Sequence, residues 1–227
     1  MQRYKLMRSG RGWLMAAGLL LGVAALALAA RAEEPGVVVV FGDSITAGGA
    51  LPAAERSQVW VRLVEKQSAG KLRLVNEGKG GRPTDSVKDF DAMLQRNPHA
   101  DVLVIALGTN DSRDITDQCI PKAVKNVRAM VAGGRKAYGA KLRVLLVGPP
   151  NIRKDALGPT KPIADQRDAK LRELGAAFAK LAVETQCEFV SLYGVVPAAC
   201  LTRDGVHPDA AGNAAMAKVL LAALQKP

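Results

Sequence analysis

A serine near the start of the chain and a histidine near its end have the surroundings of a nucleophile and its base. Ser44 follows the apolar run 37–41 almost directly, and His207 lies in an Asp-Gly-Val-His-Pro segment that begins at Asp204. A serine hydroxyl becomes nucleophilic when an imidazole accepts its proton and a carboxylate orients that imidazole. The two segments together predict acyl transfer, which neither predicts alone.

Asp204 is the residue that suits the orienting role, because it precedes His207 by three positions. One tight turn can bring its carboxylate to the imidazole Nδ1, which fixes the tautomer and leaves Nε2 for Ser44. Asp43 adjoins the serine, and we expect it to organise the turn through backbone hydrogen bonds instead. The other histidine, His99, precedes a strand at the opposite edge of the predicted sheet and is better explained as a surface imidazole.

Three groups are candidates for binding the negative charge that develops on a carbonyl oxygen during acyl transfer. Asn110 offers a side-chain amide shortly after the apolar run 101–107. Gly81 offers a backbone N–H at a position where a side chain would crowd a substrate, and since Gly80 is adjacent, the donor could be either glycine. The N–H of Ser44 itself is the third candidate.

Strand-like and helix-like segments alternate along the chain, and this order supplies the scaffold for these residues. Strands are predicted over 37–42, 72–76, 101–107, 142–148 and 188–192. Helices are predicted near 54–68, 84–96, 117–137, 163–186 and 209–225. Nearly continuous apolar strands suit a parallel sheet covered on both faces, so we expect a doubly wound α/β sandwich. Functional groups of such sheets gather beyond the carboxyl ends of the strands, where all the candidates fall.

The apolar residues of the two longest predicted helices recur at helical spacing, which predicts core contacts rather than a ligand site. These residues are Val124, Val127, Met130 and Val131 in the first, and Leu171, Leu174, Phe178 and Leu181 in the second. The segment 151–162 is predicted to be a rim loop over the site. Its basic pair, Arg153 and Lys154, is read as ordinary loop surface, with attraction of an anionic substrate as the alternative.

The composition favours a single globular domain with a basic, solvated surface. The chain has 227 residues, 48% of them hydrophobic and 23% charged. Its formal charge of +11 falls to +6 without residues 1–32, which hold five basic and no acidic residues. A nucleic-acid binder usually shows a concentrated basic stripe with interleaved aromatics, whereas aromatics are only 4% here. We therefore predict no nucleic-acid partner.

The first 32 residues have the layout of a secretory signal peptide. Four basic residues precede the apolar run 13–30, and residues 30–32 show the small-x-small pattern of a cleavage site. The run is almost long enough to span a bilayer, so an uncleaved membrane anchor is the alternative. We expect a signal peptide at 1–32, a folded domain at 33–227, and a periplasmic or secreted protein. Contact with a membrane is expected only through an uncleaved signal segment.

The three cysteines lack the spacing of zinc ligands, and we predict neither a metal nor a cofactor. Export would permit one disulfide and leave an odd thiol. The preferred pair is Cys119 with Cys200, because both follow strand ends on the predicted catalytic side of the sheet. The alternative is that Cys119, Cys187 and Cys200 are all unpaired and partly buried.

Four segments, in order, resemble the conserved blocks of the GDSL/SGNH hydrolase family. They are 42–45 (Gly-Asp-Ser-Ile), 76–84, 108–111 (Gly-Thr-Asn-Asp) and 204–207 (Asp-Gly-Val-His). The resemblance covers essentially the whole chain after residue 32. It implies a three-layer flavodoxin-like sandwich with a five-stranded parallel sheet in the order 2-1-3-4-5. Ile45 stands where the family name has leucine, a conservative change.

The resemblance also implies the role of each candidate residue. Ser44 would be the nucleophile, His207 the base with Asp204 as its partner, and Gly81 and Asn110 the oxyanion donors beside the Ser44 N–H. A serine esterase acting on small acyl esters, acetyl groups on carbohydrate above all, is the leading expectation. Lysophospholipase or thioesterase activity and O-acyl transfer to envelope carbohydrate are the alternatives. The expected partner is thus a small-molecule, carbohydrate or lipid ester.

Overall fold

The structure is a computed structural model that describes residues 34–226. The strands in that range are β1 (Gly36–Gly42), β2 (Leu72–Gly78), β3 (Val102–Ala106), β4 (Arg143–Gly148) and β5 (Glu188–Ser191). The α-helices are α1 (Ser44–Ala47), α2 (Trp60–Gln67), α3 (Val87–Arg96), α4 (Cys119–Tyr138), α5 (Ala164–Glu184) and α6 (Ala210–Leu224). Short 3₁₀ helices lie at Ala53–Gln58, Asp111–Arg113, Lys154–Ala156, Gly158–Ile163 and Ala198–Cys200.

The five strands pair in parallel in the order β2-β1-β3-β4-β5. Val38 of β1 lies opposite Leu74 of β2 on one side and Val102 of β3 on the other. The register therefore brings the carboxyl ends of β1, β2 and β3 to the same edge. This order confirms the predicted three-layer α/β sandwich.

Alternate residues of the central strands bury their side chains in two separate cores. Val38 and Val40 of β1 belong to the core formed with α2 and α6. Val39 and Phe41 belong to the core formed with α3, α4 and α5. Full burial of one such side chain contributes about 1.5–3 kcal/mol, so this alternation fixes which face of β1 meets which helices.

The helical stripes predicted from the sequence pack into the core on the α4 side of the sheet, except Leu171, which packs with Ile152 and Leu157 in a smaller cluster. Seven of the eight residues are nearly inaccessible to solvent: Val127, Met130, Val131, Leu171, Leu174, Phe178 and Leu181. Val124 is partly buried against the core formed with α3, α4 and α5. The prediction that these stripes are core contacts is confirmed.

The predicted helix 54–68 is interrupted in the structure, and a tertiary contact explains why. A 3₁₀ helix ends at Gln58, Val59 has an extended backbone, and α2 begins only at Trp60. The Trp60 N–H donates to Oδ1 of Asn213 at 3.0 Å, so a side chain from α6 satisfies one of the free N–H groups at this helix start. A cap provided by a residue 153 positions away leaves no local signal in the sequence.

The prediction of a disulfide between Cys119 and Cys200 is wrong. All three cysteines are free, and Cys119 is buried in the core on the α4 side of the sheet. Cys200 packs against the core on the opposite side. The sheet separates the two thiols, because the 3₁₀ helix that carries Cys200 lies on the α6 face.

Within residues 34–226, no helix is long and apolar enough to cross a membrane. The predicted signal peptide at 1–32 lies outside the described residues.

Candidate active site

The carboxyl end of β1 presents Ser44 through a tight turn into α1. Asp43 caps this short helix, with its Oδ1 accepting a hydrogen bond from the Ile45 N–H at 2.9 Å. Gly42 leaves room for the turn, because a Cβ at that position would lie 2.1 Å from Oγ1 of Thr46. The expected role of Asp43 as organiser of this turn agrees with these contacts.

A second turn, between β5 and α6, presents His207. One oxygen of Asp204, Oδ1, accepts from the N–H groups of Val206 at 2.8 Å and His207 at 3.0 Å. Gly205 adopts a φ of +71°, a conformation that L side chains rarely adopt. A Cβ there would also lie 2.5 Å from the Arg153 carbonyl oxygen, so the turn needs glycine on both grounds.

The two turns meet at the edge of the sheet although they lie 163 positions apart in sequence. His207 Nε2 lies 2.8 Å from Ser44 Oγ, and His207 Nδ1 lies 2.6 Å from Asp204 Oδ2. An ionised carboxylate only accepts hydrogen bonds, so the Nδ1 proton faces Asp204 and Nε2 is left to accept the serine proton. The structure thus brings together the three residues predicted as nucleophile, base and orienting acid.

The two aspartates near the serine have opposite electrostatic environments. Partial burial by itself would raise the pKa of Asp204. Hydrogen bonds from the backbone and imidazole of His207 and from the Val206 N–H outweigh that effect and lower the pKa to about 2. Asp43 is only 2% exposed, and burial raises its pKa to about 6 despite the hydrogen bond from Ile45. Asp204 therefore stays ionised at neutral pH, as an orienting carboxylate must.

An open cleft of about 350 Å³ extends over the serine. Its lining residues are Ser44, Thr109, Asn110, Arg113, Leu157, Pro159, Thr160, Arg167, Asp204, Val206 and His207. The predicted rim loop 151–162 contributes three of them. Arg153 and Lys154 of that loop do not line the cleft: Arg153 donates to the Thr202 carbonyl at 3.2 Å and Lys154 pairs with Asp165 at 2.7 Å.

The predicted oxyanion donors differ in their placement. Asn110 lines the cleft, and its Nδ2 donates one N–H to the Arg82 carbonyl at 3.2 Å, which leaves the second N–H for a ligand. Ser44 also lines the cleft. Gly81 is not among the lining residues. It lies exposed in the turn that follows β2, next to Gly80 and one residue before the carbonyl that holds Asn110.

Arg82 is a site residue that the sequence analysis missed. Its side chain is buried, and its Nη1 donates to the carbonyl oxygens of Gly42, at 2.7 Å, and Glu77. The guanidinium carbon also lies 4.1 Å from the centre of the Phe41 ring. Arg82 therefore ties the end of β1 to the end of β2 while its own carbonyl orients Asn110.

Asp111 joins the segments that carry Asn110 and Arg82. Its carboxylate accepts from the Thr84 hydroxyl at 2.5 Å and from the Thr84 N–H at 3.1 Å. Burial raises the pKa of Asp111, and the bonds from Thr84 partly offset that effect. His99, by contrast, is exposed and lies 3.5 Å from Asp101 near the start of β3, which agrees with its reading as a surface imidazole.

Comparison with known proteins shows which family the chain belongs to. The model of the GDSL-like lipase/acylhydrolase family matches residues 40–215. The chain belongs to this family. Esterase TesA of Pseudomonas aeruginosa is 31% identical over 206 residues, which cover 88% of this chain and 92% of that protein.

Two solved structures share the fold. A protein of Agrobacterium tumefaciens proposed to be an arylesterase is 28% identical, with a TM-score of 0.68 over 84% of this chain and 98% of that one. A carbohydrate acetylesterase family member from Sinorhizobium meliloti is 21% identical, with a TM-score of 0.69 over 84% and 97% of the two chains. The family match and the 31% identity to Esterase TesA identify the chain as a carboxylic ester hydrolase.

Among residues 34–226, no group of three or more His, Cys, Asp and Glu side chains is arranged to hold a metal ion.

Proposed function

We propose that the protein is a serine esterase in which Ser44, His207 and Asp204 act as a catalytic triad. The observation that carries this proposal is the unbroken series of contacts from Ser44 Oγ to His207 Nε2, at 2.8 Å, and from His207 Nδ1 to Asp204 Oδ2, at 2.6 Å. Each group has the role that its position allows: alcohol, base and orienting carboxylate.

The proposed reaction has two steps, and each conserves atoms and protons. In the first, Ser44 Oγ attacks the ester carbonyl while His207 Nε2 takes the hydroxyl proton and then gives it to the leaving alcohol. In the second, water attacks the acyl-serine and gives a proton to His207, which returns it to Ser44 as the acid departs. No metal or organic cofactor enters either step.

The oxyanion of each tetrahedral intermediate is proposed to accept hydrogen bonds from three donors: the Ser44 N–H, the free N–H of Asn110 and the Gly81 N–H. The support is strongest for Ser44 and Asn110, which both line the cleft. For Gly81 the support is its position in the same turn as Arg82, whose carbonyl contacts Asn110. A preorganised donor of this kind contributes about 3 kcal/mol of transition-state stabilisation.

The preferred substrate is proposed to be a short-chain acyl ester, with acetyl groups on carbohydrate as the natural class. The support for this choice is that the apolar side chains of the cleft lining come from three residues: Leu157, Pro159 and Val206. A long acyl chain needs a continuous apolar groove to leave water. The hydroxyl and amide groups of Thr109, Asn110 and Thr160 suit a hydroxylated alcohol part instead.

Substitution of the triad residues tests the proposal. Ser44→Ala and His207→Ala should each lower kcat for 4-nitrophenyl acetate at least about 10³-fold while the circular dichroism spectrum stays unchanged. A fluorophosphonate should label wild-type protein at Ser44, as read by mass spectrometry. Labelling at another serine would refute the assignment. Ser86→Ala, a serine at the start of α3 and away from the cleft lining, is the matched control.

A series of 4-nitrophenyl esters from acetate to decanoate tests the acyl preference. The proposal predicts a maximum of kcat/KM at acetate or propionate. Activity that rises with chain length would instead favour the lysophospholipase or thioesterase alternative. An acetylated product formed from added polysaccharide would favour O-acyl transfer over hydrolysis.

Residues 1–32 are proposed to be a signal peptide that directs the hydrolase domain, 33–227, to the periplasm or the medium. The support is the sequence of that segment. Expression of the full chain in a bacterium and mass measurement of the exported protein test this proposal. A protein that starts near residue 33 is expected, and an intact N-terminus in the membrane fraction would favour the anchor.

A further inference from the structure

The cleft wall contains a buried arginine that has no carboxylate partner among residues 34–226. Arg167 of α5 is 1% exposed, and its guanidinium donates to Ser112 Oγ at 3.2 Å, Thr160 Oγ1 at 2.8 Å and the Thr109 carbonyl at 3.5 Å. All three acceptors are neutral. A buried cation is costly unless an anion compensates it, so this arrangement differs from an ordinary structural ion pair.

Two other arginines whose side chains are buried or partly buried do have a carboxylate partner. Arg82 lies 3.6 Å from Asp89, and Arg143 lies 2.9 Å from Glu188. The carboxylate nearest to Arg167 in sequence, Asp168, is already committed to other groups. It pairs with Arg172 at 2.7 Å and accepts a hydrogen bond from the Tyr193 hydroxyl.

A second cation lies close to Arg167. Arg113 lines the same cleft, and it is exposed. Burial lowers the pKa of Arg167 to about 10, and the positive charge of Arg113 adds to the effect. Two like charges that repel each other, with neutral groups between, form a region where an anion would be stabilised by both.

The acidic residue of the cleft does not neutralise this region. Asp204 is the one carboxylate among the lining residues, and its oxygens already bind His207, Val206 and Thr202. Within residues 34–226, the salt-bridge partner of Asp204 is His207, at 2.6 Å, and neither arginine of the cleft is within that range. Asp111 and Asp114 lie beside Arg113 in the adjoining pocket, where they accept hydrogen bonds from Thr84 and Thr116 rather than pairing with Arg113.

We propose that Arg113 and Arg167 form an anion subsite, and that the ester substrate carries a carboxylate or phosphate group which binds there. This inference rests on the proposed function and narrows its substrate class to anionic esters. Arg113 is the residue that contacts the anion. Arg167 is a positioning residue: it holds Thr109 and Thr160 in the cleft wall and supplies a fixed positive charge behind them.

Matched ester pairs test the subsite and show which part of the substrate carries the anion. In the acyl arm, 4-nitrophenyl hydrogen succinate is compared with its neutral methyl ester. In the alcohol arm, 3-acetoxybenzoate is compared with methyl 3-acetoxybenzoate. In at least one arm, kcat/KM should be about tenfold higher for the anionic member, as expected for one charge-assisted hydrogen bond. Equal values in both arms would overturn the proposal.

Removal of one positive charge from the cleft tests the role of Arg113, and removal of one outside the cleft is the matched control. Arg113→Gln should reduce the anionic-to-neutral ratio of kcat/KM about tenfold. Lys161→Gln removes the same charge from an exposed residue outside the cleft lining, and it should leave the ratio within about twofold. An equal fall in both variants would show a general charge effect and contradict the subsite.

Binding to an inactive variant separates this proposal from the proposed function. Ser44→Ala is titrated with both members of each pair by calorimetry, which needs no turnover. Tighter binding of the anionic member, lost when Arg113→Gln is added, supports the subsite even if the wild type hydrolyses neither ester. Hydrolysis of the neutral esters with no anionic preference in rate or binding would overturn the subsite and leave the proposed function standing.

Discussion

Asp204 is held by more hydrogen bonds than its contact with the imidazole requires. Its Oδ1 accepts from Thr202 Oγ1 at 3.0 Å and from two backbone N–H groups, which leaves Oδ2 for His207 Nδ1. The carboxylate therefore cannot rotate without breaking several bonds at once. The residue fixes both the direction and the tautomer of the imidazole.

Asp204→Asn tests the tautomer directly. An asparagine keeps the Oδ1 bonds but turns an NH₂ group toward Nδ1, so the imidazole proton moves to Nε2 and the serine proton has no acceptor. We expect kcat for 4-nitrophenyl acetate to fall by about 10²–10⁴-fold, with the circular dichroism spectrum unchanged. Thr202→Val removes one bond to Oδ1 and should cost less than about tenfold. Equal losses in the two variants would contradict an orienting role.

Asn110→Ala tests the oxyanion donor at the same scale. Removal of a preorganised donor should lower kcat by about 10²–10³-fold and change KM little, because the interaction strengthens as charge develops. Asn126→Ala is the control, since Asn126 is a half-buried asparagine of α4 outside the cleft lining. A rise in KM at constant kcat would show that Asn110 binds the ground state instead.

At the scale of elements, the sequence predicts the strands and the long helices because each has a local signal. Five apolar residues of β1, with a glycine at its end, place Ser44 at the correct edge of the sheet. The break before α2 has no such signal, since it depends on Asn213 from α6. The sequence could not predict contacts between residues that are far apart along the chain.

The disulfide prediction failed for a related physical reason. Strand order places the residues after each strand at one edge, but it does not say on which face of the sheet the following segment lies. Cys119 and Cys200 follow strand ends at the same edge and end on opposite faces. The contacts of the Arg82 side chain could not be predicted either, because nothing in the segment 77–82 indicates that this side chain folds back onto β1.

Arg82→Met tests whether the link between β1 and β2 matters for the site. Methionine has a similar length but no donor, so the carbonyls of Gly42 and Glu77 lose their partner. We expect the free energy of unfolding to fall by about 3 kcal/mol in urea titrations, and kcat to fall because Ser44 and Asn110 lose their support. Arg96→Met breaks an exposed ion pair with Glu77 and should change both little. An unchanged kcat in Arg82→Met would show that the link supports the fold alone.

At the scale of the whole molecule, the site combines groups from both layers of helices. The Ser44 turn is followed by α2 on one face of the sheet, while Arg167 reaches the cleft from α5 on the other. The buried polar residues of this edge include Asp43, Thr84, Thr109, Ser112 and Arg167. Stability and activity are thus coupled, because the groups that shape the cleft are also the polar groups that the fold must bury.

The pH dependence of stability reports this coupling through Asp43. Burial raises its pKa from 3.8 to about 6, so the folded protein retains between pH 4 and 6 a proton that the unfolded chain has lost. The contribution of Asp43 to the free energy of unfolding is therefore greatest below pH 4 and falls as pH rises to 6, by at most about 3 kcal/mol. Asp204 acts in the opposite sense, since its lowered pKa makes stability fall as pH drops from 4 toward 2.

Asp43→Asn isolates the first effect, because asparagine still accepts the Ile45 N–H but does not titrate in this range. Chemical unfolding of both proteins at half-unit steps from pH 3.5 to 7.5 gives a difference curve in which Asp204, Asp111 and the surface carboxylates cancel. We expect the variant to gain stability relative to the wild type between pH 4 and 6, and the difference to stay constant above about pH 7. Parallel curves would mean that Asp43 is already ionised throughout, and that the hydrogen bonds of the Ser44 turn suffice to stabilise a buried charge.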